Sequence, residues 1–208
     1  MKLTSIPFFS CFLILNFVTH SLCGSESVSI KLEIEHALGK GIEWINSEQN
    51  SSSGQWGEAE YPALTALALR ATMGHPDFAV VQKYANQQAK GFSFILSKVQ
   101  SDGGIYGKGL ASYNTAICMM AMIQSKDPKY NDIIKSARRF LINQQSDFDR
   151  KGQRDNVFDG GVGYGSRWAH SDLSNTHLAM EALYYAKKSF QAKEGDELGL
   201  DWDAAISF

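Results

Sequence analysis

Apolar positions recur along this chain with a helical period, and they do so in three similar blocks. Asp132 to Gln144 shows the pattern most plainly. Ile133, Ile134, Ala137, Phe140 and Leu141 share one face of a helix, while Lys135, Arg138 and Arg139 take the other. Such a segment predicts an outer helix with one wet side. Ala63 to Leu69 and Thr115 to Ile123 are apolar on nearly every side, the pattern of inner helices packed between neighbours or facing an enclosed cavity. No stretch alternates with a strand period strongly enough to compete.

Each block reads helix, glycine turn, helix. The first runs from Gly41 to Gln49, then Gly54-Gln55-Trp56-Gly57, then Leu64 to Leu69. The second runs from Gly91 to Gln100, then Asp102-Gly103-Gly104-Ile105-Tyr106-Gly107, then Asn114 to Met119. The third has Phe140 to Gln145, then Asp159-Gly160-Gly161-Val162-Gly163-Tyr164-Gly165, then Asn175 to Met180. Gly57 to Gly107 and Thr65 to Thr115 are both 50 residues, whereas Thr176 follows Thr115 by 61, because the charged stretch Ser146 to Phe158 precedes the third turn. A period of this length predicts repeats that bury their faces on one another, at about 36–73, 86–124 and 132–188. The turn glycines permit positive φ and close approach, with Trp56, Tyr106 and Tyr164 available to pack over the turns.

The first 23 residues stand apart. Lys2 is their only charge, Ile6 to Val18 is an almost unbroken apolar run of 13, and Ser21-Leu22-Cys23 offers small side chains at a cleavage site. Residues 1–23 are therefore expected to be a signal peptide, Gly24 the first mature residue, and 24–208 the repeat domain of a secreted or periplasmic protein. A membrane span would need about 20 apolar residues, so no span is expected after cleavage. A composition 44% hydrophobic and 20% charged is that of a folded soluble domain, and cleavage would take the net charge from −2 to −3, which invites neither nucleic acid nor an anionic membrane. Cys118 would be the sole mature cysteine. In the apolar run Thr115 to Met120 it reads as a small core residue.

A helix ending in Gln, an Asp-Gly-Gly-aromatic-Gly turn and an inner helix opening on Thr resemble the repeat of protein prenyltransferases and squalene cyclases, over about residues 36–188 and most closely over Gly103 to Met119 and Gly160 to Leu183. The resemblance implies an all-α fold, an α/α toroid in which helix-turn-helix repeats form at least a partial barrel around a central cavity. It does not carry the family's chemistry with it. Asp172-Leu173-Ser174-Asn175-Thr176 is similar to the prenyltransferase Asp-Phe-Tyr-His-Thr, whose His binds zinc, but the position holds Asn175, a poor zinc ligand. The family's Asp-x-Cys pair is also missing, since Ala116 stands two residues before Cys118.

The proton-donating Asp-x-Asp-Asp motif of squalene-hopene-type cyclases has its nearest counterpart in Asp147-Phe148-Asp149-Arg150. Arg150, Lys151 and Arg154 would keep those carboxyls ionised, so a solvated loop is expected instead. No aspartate-rich magnesium motif occurs. His170, Asp172 and His177 are close enough in sequence to suggest a metal site. The simpler reading makes Asp172 or Ser174 the cap of the helix near Asn175, with His177 and Glu181 one turn apart on it. No metal and no cofactor are therefore expected. Asn50-Ser51-Ser52 fits the N-glycosylation pattern, of consequence only in a eukaryotic secretory pathway.

Leu200 to Phe208 looks like the start of another outer helix with no turn or inner helix after it, so the chain is expected to be a fragment or a product cut short. Three functions follow, in order of preference. The first is binding of an apolar or glycan-like ligand in the central cavity, without catalysis. The second is a cyclase-like or lyase-like enzyme with key residues in absent repeats, for which Tyr106, Tyr164, His170 and Asp172 are the catalytic candidates. The third is a protein-interaction scaffold using the outer helices.

Overall fold

The computed structural model describes the backbone of residues 10–165, 168–190 and 199–208, and within these the side chains from residue 28 onward apart from 168 and 169. The chain divides into two compact units, Met1–Trp44 and Ile45–Phe208. Over its described residues the first unit is the larger part of helix α1 (Ser10–Ser47), which carries the one-turn ion pair Lys31–Glu35 at 3.8 Å. The leader expected over 1–23 lies outside the described residues in its first nine positions and outside the described side chains in the rest. Among the described residues no helix is long and apolar enough to cross a membrane.

The second unit is an all-α, multi-helix bundle. After the last turn of α1 come α2 (Pro62–Met73), the short α3 (Phe78–Lys83), α4 (Ala85–Leu96), α5 (Ala111–Ser125), a 3₁₀ turn (Pro128–Tyr130) and α6 (Asn131–Ile142). A two-stranded antiparallel ribbon, β1 (Gly163–Gly165) and β2 (Trp168–Ser171), leads into α7 (Leu173–Ser189) and α8 (Trp202–Ser207). Local chemistry sets several of the starts. Pro62 opens α2, where its fixed φ suits a helix and its missing N–H is not needed. Asp77, Asp172 and Asp201 accept hydrogen bonds from the first turns of α3, α7 and α8.

α2, α5 and α7 lie side by side with α5 in the middle; α4 packs on α2, and α6 on α5 and α7. The residues of α5 from Ala116 to Met122 are at most 3% exposed, which only an apolar sequence on every side permits. α6 turns Ile134, Ala137, Phe140 and Leu141 inward, the face its periodicity selects. Leu69, Ile95, Met119 and Leu141 are fully buried, each such side chain stabilising the fold by about 1.5–3 kcal/mol. α2 departs from this scheme: Leu64 and Leu67 remain 43% and 44% exposed, so one side of it is uncovered.

The three turns are built alike. The hydroxyls of Thr65, Thr115 and Thr176 accept hydrogen bonds from the buried backbone N–H groups of Trp56, Ile105 and Val162, at 3.0, 2.8 and 2.8 Å. In this register Trp56 takes the place of Ile105 and Val162, which stand one and two residues before Tyr106 and Tyr164. Gly54, Gly103 and Gly160 all have positive φ, and a Cβ on them would strike the backbone of Lys90 on α4, Ser136 on α6 and Ala204 on α8. Each turn thus seats against a following helix at a distance only glycine allows. Gln49 and Gln145 add a second tie, donating to the carbonyls of Gln87 and Asp201 at 2.9 and 2.8 Å. Gln100 turns back instead to the carbonyls of Lys98 and Tyr106.

Candidate functional site

The four candidate catalytic residues lie in two places. Tyr106 is in the second turn, half-buried, with its ring against Phe140 at 5.8 Å and its hydroxyl donating to Asp102 at 2.7 Å. That hydrogen bond, with burial and the carboxylate's charge behind it, pushes the phenol up to about 12. Tyr164 and His170 sit on the paired strands β1 and β2, Tyr164 half-buried and His170 exposed. Asp172 follows β2 as the cap of α7, accepting from the N–H of Asn175 at 2.9 Å and from its amide Nδ2 at 2.8 Å. Tyr164, His170 and Asp172 therefore share one segment, and Tyr106 belongs to another turn.

The other groups singled out by their chemistry are also placed. Burial alone drives the Cys118 thiol far above its ordinary range, as befits an inert core residue. Asp147 and Asp149 are exposed, and their carboxylates accept hydrogen bonds from the N–H of Gly152 and from Asn156. The loop they occupy is organised by Asp159, which takes the backbone N–H groups of Phe148, Asp155 and Asn156 at 2.7, 3.1 and 2.9 Å. Among the described residues no three His, Cys, Asp or Glu side chains converge as a metal site would require.

The three middle helices carry a further polar arrangement. Arg70 of α2 reaches Glu181 of α7 at 3.8 Å, and on the way its guanidinium meets the sulfur of Met120 and the side-chain oxygen of Gln124 on α5. Gln124 returns a hydrogen bond to the Arg70 carbonyl at 3.1 Å. This bridge spans α5 toward the ends of the helices.

An open groove with a partly apolar wall lies just beyond that bridge, where α2 and α5 finish. It is a groove of about 500 Å³ lined by Met73, Phe78, Val81, Phe92 and Tyr130 on its apolar side and by His75 and Lys126 among its polar groups. Local structure explains it. α2 stops at Gly74, and His75-Pro76-Asp77 carries the chain over to α3, which leaves Phe78 70% exposed at the groove. On the far side Phe92 stacks on Tyr130 with centroids 5.0 Å apart, and Lys129, paired with Asp127 at 2.7 Å, lies over the Tyr130 ring. Burial holds the Tyr130 phenol above its usual range.

His75 is the unusual member of this lining. The N–H of Asp77 lies 3.1 Å from its Nδ1, and the Asp77 carbonyl 3.4 Å from the same nitrogen. Nε2 is buried without a hydrogen-bond partner. Sequence reasoning missed the groove. The available signal was Gly74-His75-Pro76-Asp77-Phe78, a helix stop followed by a cap and a large apolar residue with no helical face to join.

No protein-family model, no curated protein and no solved structure matches this chain.

Proposed function

We propose that the chain is a non-catalytic binding scaffold, secreted or periplasmic and similar in its repeat to the prenyltransferase and squalene-cyclase toroids, that takes an apolar or glycan-like ligand. The observation that carries this reading is the groove at the ends of α2 and α5. About 500 Å³ with an apolar wall and a few polar groups is the size and chemistry of a small-molecule site. The groove replaces the central cavity as the preferred location, because α5 is buried on all sides and the Arg70–Glu181 bridge crosses it. The enzyme reading draws less support, since Tyr106 and Asp172 are engaged in holding a turn and a helix start.

The test is a titration of the purified chain with an apolar fluorescent probe and with neutral oligosaccharides, alongside Val81→Asp. Val81 is half-exposed in the groove wall, so the variant should fold. Saturable binding that Val81→Asp weakens about tenfold or more is expected, a charge in an apolar contact being costly. Binding that Val81→Asp leaves intact would remove the groove from consideration.

A further inference from the structure

We propose that Asn50 is a covalent glycan attachment site, its side-chain amide nitrogen carrying an N-linked oligosaccharide on the exported chain. The inference takes up export from the proposed function and is independent of the groove. Asn50-Ser51-Ser52 is the chain's only Asn-x-Ser/Thr triplet, and the context that such a triplet needs is a surface loop. The structure puts it in one. Asn50, Ser51, Ser52 and Ser53 are all exposed, between the end of α1 and Gly54. The repeat shows that this loop is longer than the turn requires: two residues separate Gln100 from Gly103 in the second turn, whereas four separate Gln49 from Gly54 in the first.

The hydrogen bonds of Asn50 separate its structural part from its chemical one. Its Oδ1 accepts from the N–H of Ser52 at 3.0 Å, from the hydroxyl of Ser52 at 2.7 Å and from the N–H of Ser53 at 3.1 Å, which pins the loop. An aspartate would accept the same three bonds, and more strongly. Aspartate does organise the other two turns: Asp102 takes the N–H of Gly104, and Asp159 those of Phe148, Asp155 and Asn156. What asparagine has and aspartate lacks is Nδ2, which in Asn50 makes no hydrogen bond among the described residues. The loop thus uses the oxygen and leaves the nitrogen to chemistry, and the hydroxyl of Ser52, the other group that the triplet requires, is held against the same amide. In the transfer, Nδ2 bonds to the anomeric carbon of a diphosphate-activated oligosaccharide. The bond from that carbon to the diphosphate oxygen breaks, its electron pair leaves with the diphosphate, and the nitrogen gives up one of its two protons. The product places a bulky polar group on a surface that packs against nothing.

The experiment expresses the full chain in eukaryotic secretory cells, once with its own residues 1–23 and once with a standard secretory leader in their place. Protein recovered from the secretory compartment and the medium is weighed intact and mapped by peptide, before and after an amidase that releases N-linked glycans. The expected result is an oligosaccharide mass on the peptide holding Asn50, removed by the amidase with aspartate left at that position. Asn50→Asp should lose the glycan entirely and still unfold at about the temperature of the unmodified parent made in bacteria, because the loop keeps its bonds. Ser52→Ala should lose the glycan too, whereas Ser52→Thr, which keeps the hydroxyl, should retain it. Unmodified Asn50 in chain that has entered the secretory compartment overturns the proposal. So does a sugar mass that Asn50→Asp leaves in place, which would belong to the serines. A glycan on the second preparation, with the first left in the cytosol, overturns the export reading alone and leaves the attachment site standing.

Discussion

Arg70 and Glu181 occupy the same place in the first and third repeats, five residues after Thr65 and Thr176, and their side chains meet 3.8 Å apart across Met120, which holds that place in the second. One repeat position thus carries a cation, a polarisable sulfur and an anion in succession. The pair is about one-third exposed on each side, 31% and 33%. Its coupling is therefore expected to be below about 1 kcal/mol. A double-mutant cycle with Arg70→Met and Glu181→Gln, read by denaturant unfolding, checks this, and a coupling well above that figure would show that the bridge, and not apolar packing, holds α2 to α7.

The threonine at each turn should matter more. Thr115→Val keeps the shape but strips the acceptor from the buried N–H of Ile105, and an orphaned buried donor costs about 1–3 kcal/mol. Thr65→Val and Thr176→Val should cost similar amounts, since their bonds to Trp56 and Val162 are equivalent. Chemical denaturation of the three variants measures this; a loss confined to one of them would mean the turns are not built alike.

Two glycines with positive φ separate strain from contact. Gly103→Ala places a methyl 2.7 Å from the Ser136 carbonyl, whereas Gly152→Ala points into open space. Gly152→Ala should cost about 1 kcal/mol for its backbone alone, and Gly103→Ala clearly more. Thermal unfolding of both variants decides it, and equal losses would contradict the close seating of the second turn on α6.

Tyr106 makes stability depend on alkaline pH. Its phenol ionises near 10 when unfolded and near 12 when folded, chiefly because it donates to Asp102. A raised folded value means that the contribution is complete below pH 10 and is lost as the pH climbs toward 12. Tyr106→Phe should flatten that part of the stability profile, and Asp102→Asn should bring the phenol back toward its ordinary range in an ultraviolet titration. An unchanged profile in Tyr106→Phe would assign the alkaline loss to other groups.

The sequence made some of this legible because one physical signal dominated. The unbroken apolar run around Cys118 marked a helix buried on all sides, and the period in Asp132 to Gln144 identified the face of α6 that carries Ile134 and Leu141. The equal spacings of Gly57 to Gly107 and Thr65 to Thr115 did not reveal that Trp56 stands where Ile105 and Val162 do, because the register is set by which N–H meets the threonine hydroxyl. The β1–β2 ribbon was invisible: Gly163-Tyr164-Gly165 has no alternation to detect, and its strand character comes from pairing with a later segment. The groove was illegible for a similar reason. Its walls join residues 73–92 to residues 124–130, and the orphaned Nε2 of His75 is a matter of what surrounds it.

The central claim is that the ligand site is the groove where α2 and α5 end. Photolabelling with an apolar diazirine probe, followed by peptide mapping, tests it most directly because it reports position without assuming the ligand. Labels concentrated on Met73 to Phe92 and Gln124 to Tyr130, and displaced by bound ligand, are the predicted result. Labels concentrated instead on the uncovered side of α2, at Leu64 and Leu67, and displaced by the same ligand would contradict it.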